Sequence, residues 1–86
     1  MKFYRIVTER KNVEDVRKLV DVAFDGYTLI EANGQWQGTA EPSLIIEIVA
    51  SAHDARLVLA TALAIKVLNG QQAVLVQTLD VESELI

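Results

Sequence analysis

The chain has 86 residues, 51% of them hydrophobic, a net charge of -4 and no cysteine. This length predicts one domain, residues 1–86, while the missing cysteines exclude a disulfide scaffold and a Cys-based zinc site. The acidic balance excludes the basic stripe that binding to a DNA or RNA polymer requires, and no run approaches the roughly 18 apolar residues of a membrane span.

The opening MKFYRIVTER is too short and too charged to read as a signal peptide, so the cytoplasm is the expected compartment. A chain this small buries only about 60–65% of its unfolded surface. Its apolar fraction exceeds that capacity, which predicts a homo-oligomer.

Residues Lys2–Thr8 (KFYRIVT) read as a strand, with Phe3, Arg5 and Val7 on one face and Tyr4, Ile6 and Thr8 on the other. Asn12 is expected to cap a helix from Val13 to about Phe24, with Asp15 near its N-terminus. Val13, Val16, Leu19, Val20, Ala23 and Phe24 form its apolar stripe, and Gly26 is the expected left-handed stop.

Gly26–Ala50 then reads as a long hairpin with a Gly-rich tip that carries the single tryptophan. Its first arm is Tyr27–Trp36, with Thr28, Ile30 and Ala32 on one face and Leu29, Glu31, Asn33 and Gln35 on the other. Gly34 marks a weak point or bulge. The turn is placed within Gln37–Pro42, and Ser43–Ala50 forms the return arm.

A second helix starts at Ser51 or His53, runs to about Leu68 and closes at Asn69-Gly70. It is apolar nearly all round, interrupted only by Arg56, Thr61 and Lys66. A two-layer domain can cover one side of such a helix, so the other side is expected to meet a second subunit. Gln72 to about Val81 is the last strand.

The resulting βαββαβ order predicts an α+β, ferredoxin-like two-layer sandwich with a four-stranded antiparallel sheet. Both helices are expected on one sheet face, over Ile30, Leu44, Ile46 and Ile48. The free face would hold Phe3, Arg5, Val7, Leu29, Glu31, Ile45, Glu47 and Val49, with Arg5 and Glu47 close enough to pair.

The run Gly34-Gln35-Trp36-Gln37-Gly38, followed by Glu41-Pro42-Ser43, resembles a Gly-x-Trp-x-Gly…Glu-x-Ser hairpin of small uncharacterised bacterial and phage ferredoxin-like domains. At the level of fold the chain also resembles PII-type and CutA-type proteins. The PII-type resemblance implies a compact trimer that binds nucleotides at subunit clefts. Resemblance to small phage proteins implies a sponge that sequesters nucleotide immune signals.

The candidate ligand-binding residues are Trp36, Gly38, Glu41, Ser43, Arg10 and Arg56. An exposed indole between small neighbours is a stacking platform for a base, or else it packs on its own sheet or a partner. Glu41 can accept from a ribose hydroxyl or a base edge; Glu41 and Ser43 can equally satisfy turn N–H groups. Arg10, Lys11, Arg56 and Lys66 are candidate phosphate partners, with Arg56 favoured because it interrupts the apolar helix.

His53 stands alone, so neither a metal site nor histidine catalysis is expected. Glu31, Glu47 and Arg5 would form an acid–base group only in a cleft with a raised pKa. No nucleophilic triad or phosphate loop is present, and no cofactor is expected.

Three readings follow. The first is a non-enzymatic oligomeric module for a small anionic or nucleotide-type ligand. The second is a structural or protein-interaction domain that uses the 54–68 helix, the free sheet face or both for assembly. The third is a small enzyme built on Glu31, Glu47 or His53.

Overall fold

The computed structural model describes residues 1–86. In chain order it has β1 (Lys2–Glu9), α1 (Val13–Ala23), β2 (Thr28–Trp36), β3 (Thr39–Ala50), a 3-10 turn (Ala52–Asp54), α2 (Ala55–Asn69) and β4 (Leu75–Asp80). The strands form one antiparallel sheet in the order β2-β3-β1-β4.

The sheet and the two helices meet in a single core. Tyr4, Ile6, Leu44, Ile46 and Ile48 of the central strands are buried against Val16 and Val20 of α1 and Val58 and Ile65 of α2. Alternation in β1 and β3 therefore runs as expected. Each of these side chains contributes about 1.5–3 kcal/mol by leaving water. The opposite face carries the Arg5–Glu47 ion pair at 3.2 Å, bridging the two central strands.

In β2 the faces are reversed. Leu29 pairs with Ile46 and packs on the core, while Ile30 pairs with Ile45 and is 38% exposed on the open face. Both sets of alternate residues in β2 contain apolar side chains, so alternation alone does not choose between them. The turn chooses. Gln37 and Gly38 both have positive φ (50° and 79°), as a two-residue type I′ turn demands, and Trp36 is thereby paired with Thr39. A shift of one residue reverses every side chain of a strand.

This register separates two carboxylates expected to share a face. Glu47 lies with Arg5 on the open side, whereas Glu31 pairs with Leu44 on the helix side and meets Arg10 at 3.5 Å. The acid–base group of Glu31, Glu47 and Arg5 is not assembled. Gly34 forms no bulge, since the β2–β3 register is unbroken across it.

β3 also starts earlier than expected and contains Pro42. The Pro42 carbonyl accepts from Arg10 N–H at 2.9 Å, on the β1 side but beyond the last β1–β3 pair, Glu9 with Ser43. The proline nitrogen points the same way, so the sheet loses no ladder bond there.

Helix ends differ from expectation in two places. Asn12 has φ 52° and makes no side-chain cap; its Nδ2 donates to Asn69 Oδ1 at 3.0 Å instead. Gly26 is not the stop of α1. Phe24 leaves the helix in an extended conformation, and its side chain is buried in the core. At the other helix Ser51 and Asp54 form a reciprocal capping box, and Gly70 closes α2 at φ 62°.

α2 buries Val58, Ala62 and Ile65 and leaves Leu59, Leu63 and Val67 exposed, with Leu63 at 60%. No helix is long and apolar enough to cross a membrane.

Candidate functional site

The β2–β3 hairpin brings its chemistry to one end of the sheet. Register places Trp36 opposite Thr39, Gly34 opposite Glu41 and Ala32 opposite Ser43. A cleft of about 510 Å³ opens beside these residues. Its walls include Trp36, Glu41 and Ser43 from the hairpin, Thr8 and Glu9 from the end of β1, and Gln71 from the loop before β4. The volume lies within the range of about 300–1,000 Å³ usual for small-molecule sites.

A second cleft, of about 470 Å³, lies beside it. Trp36, Glu9 and Glu41 border both. Arg10 and Lys11 contribute to the second cleft only, from the β1–α1 turn. Each is engaged loosely with a carboxylate, Arg10 with Glu31 at 3.5 Å and Lys11 with Glu9 at 3.6 Å. Exposed pairs of this kind contribute little, about 0–1 kcal/mol, so an incoming anion can displace them.

Beside the first cleft the two hairpin arms approach closely at Gly34. A Cβ on Gly34 would stand 2.6 Å from Ser43 Oγ and 3.3 Å from the Glu41 carbonyl oxygen. The Ser43 hydroxyl, largely buried, donates to that carbonyl at 3.1 Å. Gly34 therefore lets the two arms carry polar groups on the inner wall.

The other wall is organised by a polar chain. Asn12 Nδ2 donates to Asn69 Oδ1 at 3.0 Å, and Asn69 Nδ2 donates to Gln71 Oε1 at 2.9 Å. The Thr8 hydroxyl also donates to Gln71 Oε1, and Gln71 Nε2 donates to the Ala73 carbonyl at 3.1 Å. Asn69 is only 3% exposed, so these bonds replace the water it has lost.

The structure thus brings together Trp36, Glu41 and Ser43, with Arg10 adjoining them. Trp36 is 49% exposed, so its ring is not spent on the core. Gly38 lines neither cleft; its role is the positive φ of the turn. Arg56 is not brought in. It lies exposed in the first turn of α2, whose other end, Asn69, abuts the cleft wall, roughly 20 Å away at 1.5 Å per residue.

Sequence reading missed Thr8, Gln71 and Gln72. The sequence pattern closes the helix at Asn69-Gly70 and starts the last strand at Gln72, which leaves no loop to line a site. β4 starts at Leu75, and the freed residues line the cleft. One signal was available: Thr8 is a hydroxyl at the buried positions of an otherwise apolar strand face, Tyr4-Ile6-Thr8.

No protein-family model matches the chain, nor does any curated protein. Among solved structures, a DUF3240 family protein from Shewanella baltica OS155 superposes with a TM-score of 0.78 at 9% identity, covering 99% of this chain and 93% of that one. CPII, a nitrogen regulatory PII-like protein from Thiomonas intermedia K12 solved with ADP, AMP and bicarbonate, gives 0.69 at 18% identity, covering 98% and 94%. At these identities the likeness is one of architecture: the chain has a PII-like, ferredoxin-like α+β fold, with two helices on a four-stranded antiparallel sheet.

Proposed function

We propose that this protein is a non-enzymatic binding module for a small nucleotide-type ligand, acting as a homo-oligomer in the cytoplasm. The observation that carries the proposal is the position of Trp36. Its half-exposed ring stands where a hydroxyl- and amide-lined cleft meets a cleft bordered by Arg10 and Lys11. A flat heterocycle can stack on the indole while an anionic group reaches the basic side chains. The nucleotide-bound PII-like protein of the same fold supports the choice of ligand class. A finer form of this reading is a sponge that holds a nucleotide signal without transforming it.

Oligomerisation is supported by two apolar surfaces that the chain leaves exposed. One is the α2 stripe of Leu59, Leu63 and Val67; the other is the open sheet face, with Val49, Leu75 and Leu79. The same surfaces favour a second reading, a structural or protein-interaction domain with no ligand.

Native mass spectrometry of protein purified from cells separates the two. A defined oligomer carrying a small mass that Trp36→Ala loses supports the binding module. A bare oligomer supports the structural reading.

A further inference from the structure

The cleft shared by Trp36 and the loop before β4 includes Glu9 and Glu41 in its walls but no Lys, Arg or His. A bare anion has nothing to hold it there. What this cleft offers is hydrogen-bonding groups fixed in direction. Gln71 Oε1 accepts from both the Thr8 hydroxyl and Asn69 Nδ2, which fills its two acceptor positions. One Nε2 proton goes to the Ala73 carbonyl. One N–H remains free.

That amide is held in one orientation. The Asn12 amide donates to Asn69 Oδ1, which turns Asn69 Nδ2 toward Gln71. A flipped Gln71 would set its own NH₂ against that donor. The free N–H thus belongs to an oriented amide that lines the cleft, whose charged groups, Glu9 and Glu41, only accept.

Resting on the ligand-binding reading above, we propose that Gln71 is the specificity-determining residue of this cleft, which selects an amino-substituted aromatic base over its oxo counterpart. The base stacks on Trp36, its ring acceptor nitrogen takes the Gln71 N–H, and its exocyclic amino group donates to the Glu41 carboxylate. In the oxo base donor and acceptor are exchanged. A ring N–H then faces the Gln71 N–H, and a carbonyl oxygen faces a carboxylate. A site built to hydrogen-bond one pattern rejects the other because its own polar groups are left unpaired. The phosphate lies toward Arg10 and Lys11, in the second cleft.

AMP and IMP differ in this pattern and share the ribose phosphate, so titration calorimetry with the two is the test. The wild-type protein is expected to bind AMP at least about tenfold more tightly than IMP. Gln71→Glu retains acceptors for Thr8 and Asn69 but loses the free N–H, and is expected to abolish or reverse that ratio. Trp36→Ala is expected to weaken both nucleotides and leave the ratio unchanged.

Equal wild-type affinities overturn the proposal, as does a ratio that survives Gln71→Glu; in both cases the ligand-binding reading stands. Binding of neither nucleotide also overturns it. The native mass spectrum then decides the broader reading, since a retained small molecule keeps it and a bare protein ends it. The wild-type ratio is informative even if Gln71→Glu fails to fold.

Discussion

Ser43 fills the space beside Gly34: a single methyl group on Gly34 would sit 2.6 Å from the Ser43 hydroxyl oxygen. Ser43 cannot simply yield, because its neighbours bury it and its hydroxyl is bonded to the Glu41 carbonyl. Gly34→Ala is therefore expected to destabilise the protein by about 1–3 kcal/mol, as overpacking does. Ser43→Ala added to that variant removes the clashing oxygen and should restore part of the loss. Urea denaturation midpoints read both. A Gly34→Ala protein as stable as wild type, or a double variant no better than the single, would show that the hairpin arms are free to separate.

Asn69 ties α2 to both the β1–α1 turn and the loop before β4. Asn69→Leu leaves the Asn12 amide and the Gln71 carboxamide short of partners in a largely buried place. A loss of about 1–3 kcal/mol is expected from the unsatisfied groups. Residues 70–74 should exchange their amide hydrogens faster, since the anchor of that loop is gone. Unchanged exchange there would mean that backbone bonds alone, such as Gln71 N–H to the Lys66 carbonyl, hold the loop.

Assembly is tested on its two candidate surfaces separately. Leu63→Lys charges the α2 stripe, and Leu79→Lys charges the open sheet face at its edge strand. Both side chains are already exposed in the single chain, so neither change should unfold it. Light scattering after gel filtration is expected to show a fall in mass for the variant whose surface is an interface. If neither variant departs from wild-type mass, neither surface holds copies together at these positions.

Tyr27 reports on the α1–β2 junction. Its phenol donates to the Asp21 carboxylate, and this bond, with partial burial, raises its pKa above the ordinary 10.0. A raised folded value means that the folded state holds the phenolic proton more firmly than the unfolded chain. The resulting stabilisation is fully present below about pH 10 and is lost as pH rises through the raised value. NMR titration of the Tyr27 ring should show the elevated midpoint, and Asp21→Asn should bring it down. A midpoint unmoved by Asp21→Asn would remove the hydrogen bond as its cause.

The open sheet face shows where local pattern stops being informative. In β1 and β3, one alternate set is uniformly bulky and apolar, Tyr4-Ile6 and Leu44-Ile46-Ile48, and those sets are the buried ones. In β2 the choice lay between Leu29 and Ile30, which alternation weighs equally. It was decided by a turn two residues long, located by the positive φ of Gln37 and Gly38. A six-residue turn over Gln37–Pro42 would keep the same parity, so the reversal lies in assigning the Ile30 face, rather than the Leu29 face, to the core.

The site divides in the same way. Trp36, Glu41 and Ser43 lie close together in the chain and on one hairpin, so their joint appearance in a cleft was legible from spacing. Arg10 joined them because β1 runs antiparallel to β3 and ends at the same edge. Arg56 did not, because α2 begins at the opposite edge and its polar interruption simply faces water.

Local pattern suffices for the succession of strands and helices, the apolar stripes of β1, β3 and α1, and the excess of apolar surface on α2. These follow from periodicity and composition, which act over a few neighbouring residues. Long-range packing alone joins Thr8, Asn12, Asn69 and Gln71 in one hydrogen-bonded chain and sets Thr8 and Gln71 in the cleft that Trp36 lines. Those residues come from the end of β1, the β1–α1 turn, the end of α2 and the loop before β4, up to 63 positions apart. Each looks locally like a cap or a turn, and a buried polar group reveals its purpose only through the partner that replaces its water.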